Sequence, residues 1–266
     1  MAMLADFPTR VYIQGHEGGR MPPESALVKA EMEKRGVEVV LRSSEEMQGL
    51  WGAVKRSELV VGDFDWTRQA LGKLGVPMPT PPDYPDCLQH LLHRRVWRAT
   101  LGEVAAQLLG GGEGAPKRLF VKPAEDTKAF SGLVASADEW IQYLLEQFPP
   151  SFPLMCSELV EIAAEYRVYC VNGAVRQVCQ YVGPKELALD MAVVGEAVRL
   201  LFSSDSDHQL AGCGIDFALI HPAGSDQLVT ALVEVNDGYS LGAYDGLSQK
   251  DYTDMLAARW QQLVNP

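Results

Sequence analysis

The stretch "VEVNDGYSLG", Val233 to Gly242, holds the residues on which the reading of the fold turns. It ends an apolar strand pattern that runs from Thr230 to Val235, yet Glu234 stands inside that pattern and Asn236, Asp237 and Gly238 follow it. A carboxylate among apolar residues is costly to desolvate. Either Glu234 faces solvent from a half-exposed strand, or a cation compensates it. Upstream, "GIDFALI" (Gly214 to Ile220) is a second apolar strand with an acid in it, Asp216, and the polar turn "HPAGSDQ" joins the two. An antiparallel hairpin centred near Ser225 sets Asp216 opposite Glu234, with side chains roughly 5 Å apart on one face. Asn236 lies two residues on and shares that face. Three oxygen donors then converge, two of them anions that repel without a counter-charge. Such a set suits Mg²⁺, with Mn²⁺ as a possible substitute, because hard cations take oxygen ligands and Mg²⁺ keeps waters and phosphates as the remaining ones. The competing reading is an exposed hairpin face with two solvated acids; the third aligned donor and the apolar flanks favour the metal.

A metal held by two carboxylates and an amide implies a polyphosphate, so basic partners are expected elsewhere. Lys122 ends the apolar strand "RLFVKP", and Lys128 lies in "AEDTKAFSG", a loop with small residues at Ala129, Ser131 and Gly132. A lysine at a strand end is also an ordinary occurrence, and one terminal glycine is a weak phosphate-loop signal. In "EYRVYCV", Glu165 and Arg167 alternate onto one face, where a plain ion pair on a half-exposed strand is the alternative.

Working outward, the chain has 266 residues and a mass of 29.2 kDa, enough for one large domain or two modest ones. A formal charge of −12 disfavours nucleic acid or an anionic membrane as a bulk partner, since phosphate backbones need clustered Lys and Arg. It leaves room for a nucleotide in a local basic pocket. No apolar run approaches the length of a membrane helix. "MAMLADFPTR" lacks the basic end and apolar stretch of a signal peptide, so a cytoplasmic protein is expected. The five cysteines are scattered without a C-x-x-C pair and read as reduced, mostly buried thiols.

The first eighty or so residues alternate strand and helix signals: "RVYIQ", a helix over Glu24 to Arg35 ended by Gly36, "VEVVLRS", a short helix, and "ELVVGDF". This β-α-β-α-β order predicts a small parallel sheet covered by helices. The proline-dense "GVPMPTPPDYPD" (Gly75 to Asp86) predicts a domain boundary, giving domains at 1–84 and 85–266. Helix is then expected from Cys87 to about Leu109, a strand at "RLFVKP", and an amphipathic helix after a capping box of Ser136 and Glu139. Strands "LMCSELV" and "EYRVYCVNGAVRQVCQYV" follow, the second folded into a hairpin at Asn172-Gly173. "ELALDMAVVGEAVRLLF" and the segment from about Ser248 to Val264 complete the expected helices.

The order of these motifs resembles the ATP-grasp superfamily over roughly Pro85 to Pro266, with the preceding part similar to the N-terminal domain that usually accompanies it. The resemblance implies an α/β N-terminal domain followed by two α+β subdomains that hold ATP. It implies an ATP- and Mg²⁺-dependent ligase joining a carboxylate to an amine, on small molecules or peptides, through an acyl phosphate. Residue by residue, it implies nucleotide contacts from Lys122, from the hinge Glu158, Leu159 and Val160, and from Glu165 as the ribose acid seven residues later. The metal ligands are Asp216, Glu234 and Asn236. Lys128 and Arg95, the latter in "HLLHRRVWRATL", stand for the basic residues of the phosphate lid. One departure stands out: an arginine common in the family two residues before the first metal aspartate is replaced by Gly214. Lys185 in "VGPKE", Arg167 and Arg176 are the candidate cations for the transferring phosphoryl group. That departure keeps open an ATP-binding regulatory module without turnover, and the family also includes small-molecule kinases. The oligomeric state is open.

Overall fold

The computed structural model describes residues 7–16, 20–110, 117–125, 129–137, 140–203, 210–222 and 224–265. It divides into two compact units: residues 1–91, 163–219 and 230–266, and residues 92–162 with 220–229. The proline-dense stretch does not separate them. Asp83, within it, accepts a hydrogen bond from the Val235 amide at 2.7 Å.

In the first unit, strand β1 (Arg10–Gln14) lies between β2 (Glu38–Arg42) and β3 (Glu58–Val61) and is parallel to both, as the alternating pattern predicts. Helices α1 (Pro23–Lys34), α2 (Ser44–Gln48) and α3 (Phe64–Lys73) accompany it. The strand ends are fixed by polar contacts. Gln14 donates to the Asp63 carboxylate at 2.8 Å and accepts from the Asp63 amide at 2.7 Å, while Asp63 also caps α3 through the Trp66 amide. The same sheet is covered by the late helix α7 (Gln249–Val264), which begins where Ser248 accepts from the Asp251 amide. Trp260 of α7 donates its indole N–H to the Glu58 carbonyl at 2.8 Å, and Arg35 after α1 donates to Asp254 at 2.7 Å.

A second, four-stranded sheet carries the motifs of interest. Its order is β11 (Val229–Asp237), β10 (Gly212–His221), β8 (Glu161–Val171), β9 (Ala174–Val182). Asn172 and Gly173, both at positive φ (49° and 76°), form the turn between β8 and β9, the conformation a two-residue hairpin loop requires. The connection between β10 and β11 (222–228) is too short for a parallel crossover, so these neighbours run antiparallel. Helix α6 (Met191–Leu201) starts later than the expected Glu186. Asp190 caps it, and the residues before it are tied into a turn by hydrogen bonds from Tyr166 to the Leu187 carbonyl and from Gln180 to the Pro184 carbonyl.

The second unit is built on the antiparallel sheet β4 (Val96–Thr100), β7 (Pro153–Ser157), β5 (Arg118–Pro123), β6 (Leu133–Ser136), with helices α4 (Leu101–Leu109) and α5 (Trp140–Gln147). Here the expected helix over Cys87 to Leu109 is corrected. A 3-10 turn (Asp86–Leu91), a strand and a shorter helix occupy that span. β4 pairs along its whole length with β7, from Val96 opposite Ser157 to Thr100 opposite Pro153, and Thr100 then forms a reciprocal cap with Glu103. A long-range pairing overrides a weak local preference. β6 falls on a stretch to which the sequence reading assigns no element. The capping box of Ser136 with Glu139 lies outside the described residues at Glu139. All five cysteines are free thiols, four of them buried. Among the described residues, no helix is long and apolar enough to cross a membrane.

Candidate functional site

The site forms in the first unit, on the β8–β10–β11 part of its sheet. Arg167 of β8 reaches across to Asp216 of the neighbouring β10 through two hydrogen bonds, Nε to Oδ1 and Nη2 to Oδ2, each 2.7 Å. Both side chains are nearly closed to solvent, 10% and 4% exposed. Asn236 of β11 donates to Asp216 Oδ2 at 3.0 Å, so Asp216 and Asn236 do meet on one face. Asp237, the next residue, points elsewhere and is gripped by Arg259 of α7 at 2.7 and 2.6 Å. Strand alternation separates the two neighbours.

Two further carboxylates act on this group. Burial raises the Asp216 pKa, with the Glu234 charge adding to it and the hydrogen bonds from Arg167 and Asn236 opposing it. Burial also raises Glu165, followed by the charges of Asp216 and Glu234, against a hydrogen bond from Tyr181. Glu234 itself is half-buried on β11.

Aromatic residues frame the arginine. The Arg167 guanidinium lies over the Tyr244 ring, 4.9 Å from its centre, and Tyr244 stacks on Tyr181 at 4.2 Å and 11°. Tyr169 fixes the Tyr244 segment: its hydroxyl accepts from the Tyr244 amide at 2.9 Å and donates to the Gly242 carbonyl at 3.1 Å. Burial pushes that phenol up to about 12, so it stays protonated. Gly214 explains how Arg167 fits. A Cβ there would stand 2.5 Å from Leu241 and 3.0 Å from Arg167 Cδ. The arginine stem therefore lies on the glycine, at the position where the resemblance leads one to expect an arginine.

The other expected site residues are placed less centrally. Lys185 is exposed on the turn after β9, and Arg176 is exposed near the opposite end of β9, beside the Asn172–Gly173 turn. Neither is brought into the carboxylate group by any described contact. In the second unit Lys122 is half-buried on β5 opposite Met155. The Arg95 guanidinium lies over Trp97 at 4.6 Å. The Arg95 amide donates to the Glu158 carboxylate at 2.9 Å, and the Glu158 amide donates to the Arg95 carbonyl at 3.1 Å. Leu159 is exposed and Val160 half-buried in the short segment between β7 and β8. Lys128 lies outside the described residues. Sequence reading overlooked Tyr181 and Tyr244. Tyr181 adjoins Val182, the partner of Glu165 in the ladder, whereas Tyr244 sits in "LGAYDG", which has no periodicity to read.

A divalent cation fits this donor set. Asp216, Glu234 and Asn236 offer hard oxygens of the kind such a cation takes, and the neighbouring carboxylate charges raise the pKa values of Asp216 and Glu165 beyond the effect of burial. Among the described residues, no group of three His, Cys, Asp or Glu side chains is arranged to hold a metal by itself, so an amide completes the proposed set.

Residues 91–255 match the model of an ATP-grasp domain, the second family of one clade of that superfamily. No protein of curated function matches the sequence. In fold, the chain is similar to a RimK domain ATP-grasp protein from Sphaerobacter thermophilus DSM 20745 (TM-score 0.56, 13% identity, covering 93% of this chain and 98% of that one). It is similar as well to the D-alanine–D-alanine ligase of Bacillus anthracis (0.55, 14%, 96% and 97%). A third similar structure is the macrocyclase MdnC bound with precursor peptide MdnA from Microcystis aeruginosa MRC (0.51, 13%, 97% and 100%). The family match spans more than half of the chain, and with the two antiparallel sheets and the parallel one it identifies the protein as a member of the ATP-grasp superfamily.

Proposed function

We propose that the protein is an ATP- and Mg²⁺-dependent ligase that joins a carboxylate to an amine through an acyl phosphate, in the cytoplasm, on a small-molecule or peptide substrate. The observation that carries this reading is the buried Arg167–Asp216 pair with the half-buried Asn236, Glu165 and Glu234 around it on one sheet. The family match and the likeness to ligases such as the D-alanine–D-alanine enzyme support it.

In this reading Asp216, Glu234 and Asn236 would hold the metal, which would offset phosphate charge. The resemblance also assigns Glu165 to the ribose and Lys122, Lys128, Arg95, Glu158, Leu159 and Val160 to other nucleotide contacts. Arg167, with Lys185 and Arg176 as the other proposed cations, faces the transferring phosphoryl group. An oxygen of the substrate carboxylate attacks the γ-phosphorus as the bond to ADP breaks. The amine then attacks the acyl carbon, phosphate leaves and the amine gives up a proton. The side chains act by position and charge, and none forms a covalent bond.

Two measurements test this. ATP with Mg²⁺ should raise the melting temperature, adding about 2.7 kcal/mol of stability over the ligand-free protein at a hundred times the dissociation constant, and ATP with EDTA should raise it much less. Glu234→Gln keeps the shape, removes a charge, and should abolish ADP release with a carboxylate and an amine. Equal thermal shifts with and without metal, or an unimpaired Glu234→Gln, would reject the assignment. A product that keeps a phosphate would mark a kinase instead.

A further inference from the structure

We propose that Arg167 and the divalent cation are exchangeable partners of Asp216, so that the cation's arrival releases the guanidinium to an anionic oxygen of the ligand bound with it. This rests on the ligase reading above and adds a role for Arg167 within it. Arg167 takes both oxygens of Asp216 and Asn236 shares one of them. A cation that coordinates Asp216 needs an oxygen turned toward it at close range. A guanidinium in the same place would repel it, and more strongly in a water-poor pocket than in solvent.

The surroundings of Arg167 suit an exchange. Its stem lies over Gly214, which puts no side chain of its own in the way. Its guanidinium carbon lies over the Tyr244 ring, a cation–π contact that uses none of its hydrogen-bond donors and leaves them able to change partner. Tyr244 is held by the Tyr181 stack and by Tyr169, so the platform stays while the hydrogen bonds turn over. Charge completes the argument. Once a doubly charged cation sits among Asp216, Glu234 and Asn236, the guanidinium has lost its anion and remains in the pocket. An anion arriving with the metal supplies a new partner. Metal and anionic ligand then favour each other's binding.

Removing the guanidinium should therefore act with opposite signs on the two ligands. Without nucleotide, Arg167→Met should bind Mn²⁺ about tenfold more tightly than the parent, and should bind Mg²⁺–ATP about tenfold more weakly. Free Mn²⁺ is read by electron paramagnetic resonance and ATP by calorimetry, neither of which depends on turnover. Because Arg167→Met can fail to fold, Arg167→Lys is measured beside it. It keeps the charge, cannot hold both oxygens, and should also bind Mn²⁺ more tightly than the parent. Mn²⁺ affinity that is unchanged or weaker in the folded variant overturns the exchange and leaves the ligase reading standing if the parent binds Mg²⁺–ATP. A parent that does not bind Mg²⁺–ATP overturns the ligase reading, while the Mn²⁺ comparison still judges the exchange.

Discussion

Arg167 and Arg259 each grip an aspartate through two short hydrogen bonds in the same unit, Arg167 on Asp216 and Arg259 on Asp237. Both pairs are nearly closed to solvent. Their neighbours differ. Arg259 also donates to Gln262, and Asp237 accepts from the Tyr239 amide, so the pair ties the end of β11 to α7. Asp216 has the charges of Glu234 and Glu165 near it and an arginine whose stem lies over Gly214. Identical bonds thus serve two purposes, and the charges around them decide which.

The largest expected effect tests that difference. Arg259→Met leaves a buried aspartate without its partner and should cost about 3–5 kcal/mol of stability, with Mg²⁺ giving nothing back. Arg167→Met should cost a similar amount in EDTA and recover much of it in Mg²⁺, which supplies the missing charge. Urea midpoints with and without Mg²⁺ measure both; rescue of both variants, or of neither, erases the distinction.

Packing gives a middle-sized effect. Gly214→Ala places a methyl against Leu241 and the Arg167 stem and should destabilise by about 1–3 kcal/mol. Gly195→Ala, inside α6 with open space around it, should instead stabilise by about 0.5–1 kcal/mol. Thermal denaturation of the two alanine variants separates a glycine needed for close approach from one that is not.

The smallest effect comes from a half-exposed pairing that serves as a reference for the buried ones. Burial raises the Asp254 pKa, but hydrogen bonds from Lys250 and Arg35 outweigh it and hold the carboxylate below its ordinary value. A lowered folded-state pKa contributes stability above the unfolded value near 3.9, and that stability is lost as pH falls through the folded one. Asp254→Asn should lose less than about 1 kcal/mol at neutral pH and show a shallower acid limb. A neutral-pH stability equal to the parent's would remove the pairing as a reference.

The β10–β11 hairpin was legible because its pattern is local. Two apolar runs, a polar turn and acids on one parity are enough to bring Asp216 and Asn236 together. The Asn172–Gly173 turn was legible for the same reason. Arg167 was recognised as sharing a face with Glu165, but its grip on Asp216 depends on β8 lying beside β10, an adjacency that strand order does not state. β4 stayed hidden because "VWRAT" acquires its identity from β7, more than fifty residues away. Tyr244 was hidden because an irregular segment positions it through Tyr169.

The placement of α7 has a consequence for how the chain is made. The indole of Trp260 caps the Glu58 carbonyl across 202 residues, and α7 closes the face of a sheet whose three strands all precede residue 62. While the ribosome is still adding the intervening strands, that sheet lacks the helix that covers it and keeps apolar surface open to water and to other chains. Contacts this distant are slow to close. The second unit, whose sheet is encoded almost entirely between residues 92 and 162, has no such wait. Synthesis therefore completes the second unit's sheet before the parallel sheet is covered, and those parallel strands are where a chaperone would be needed.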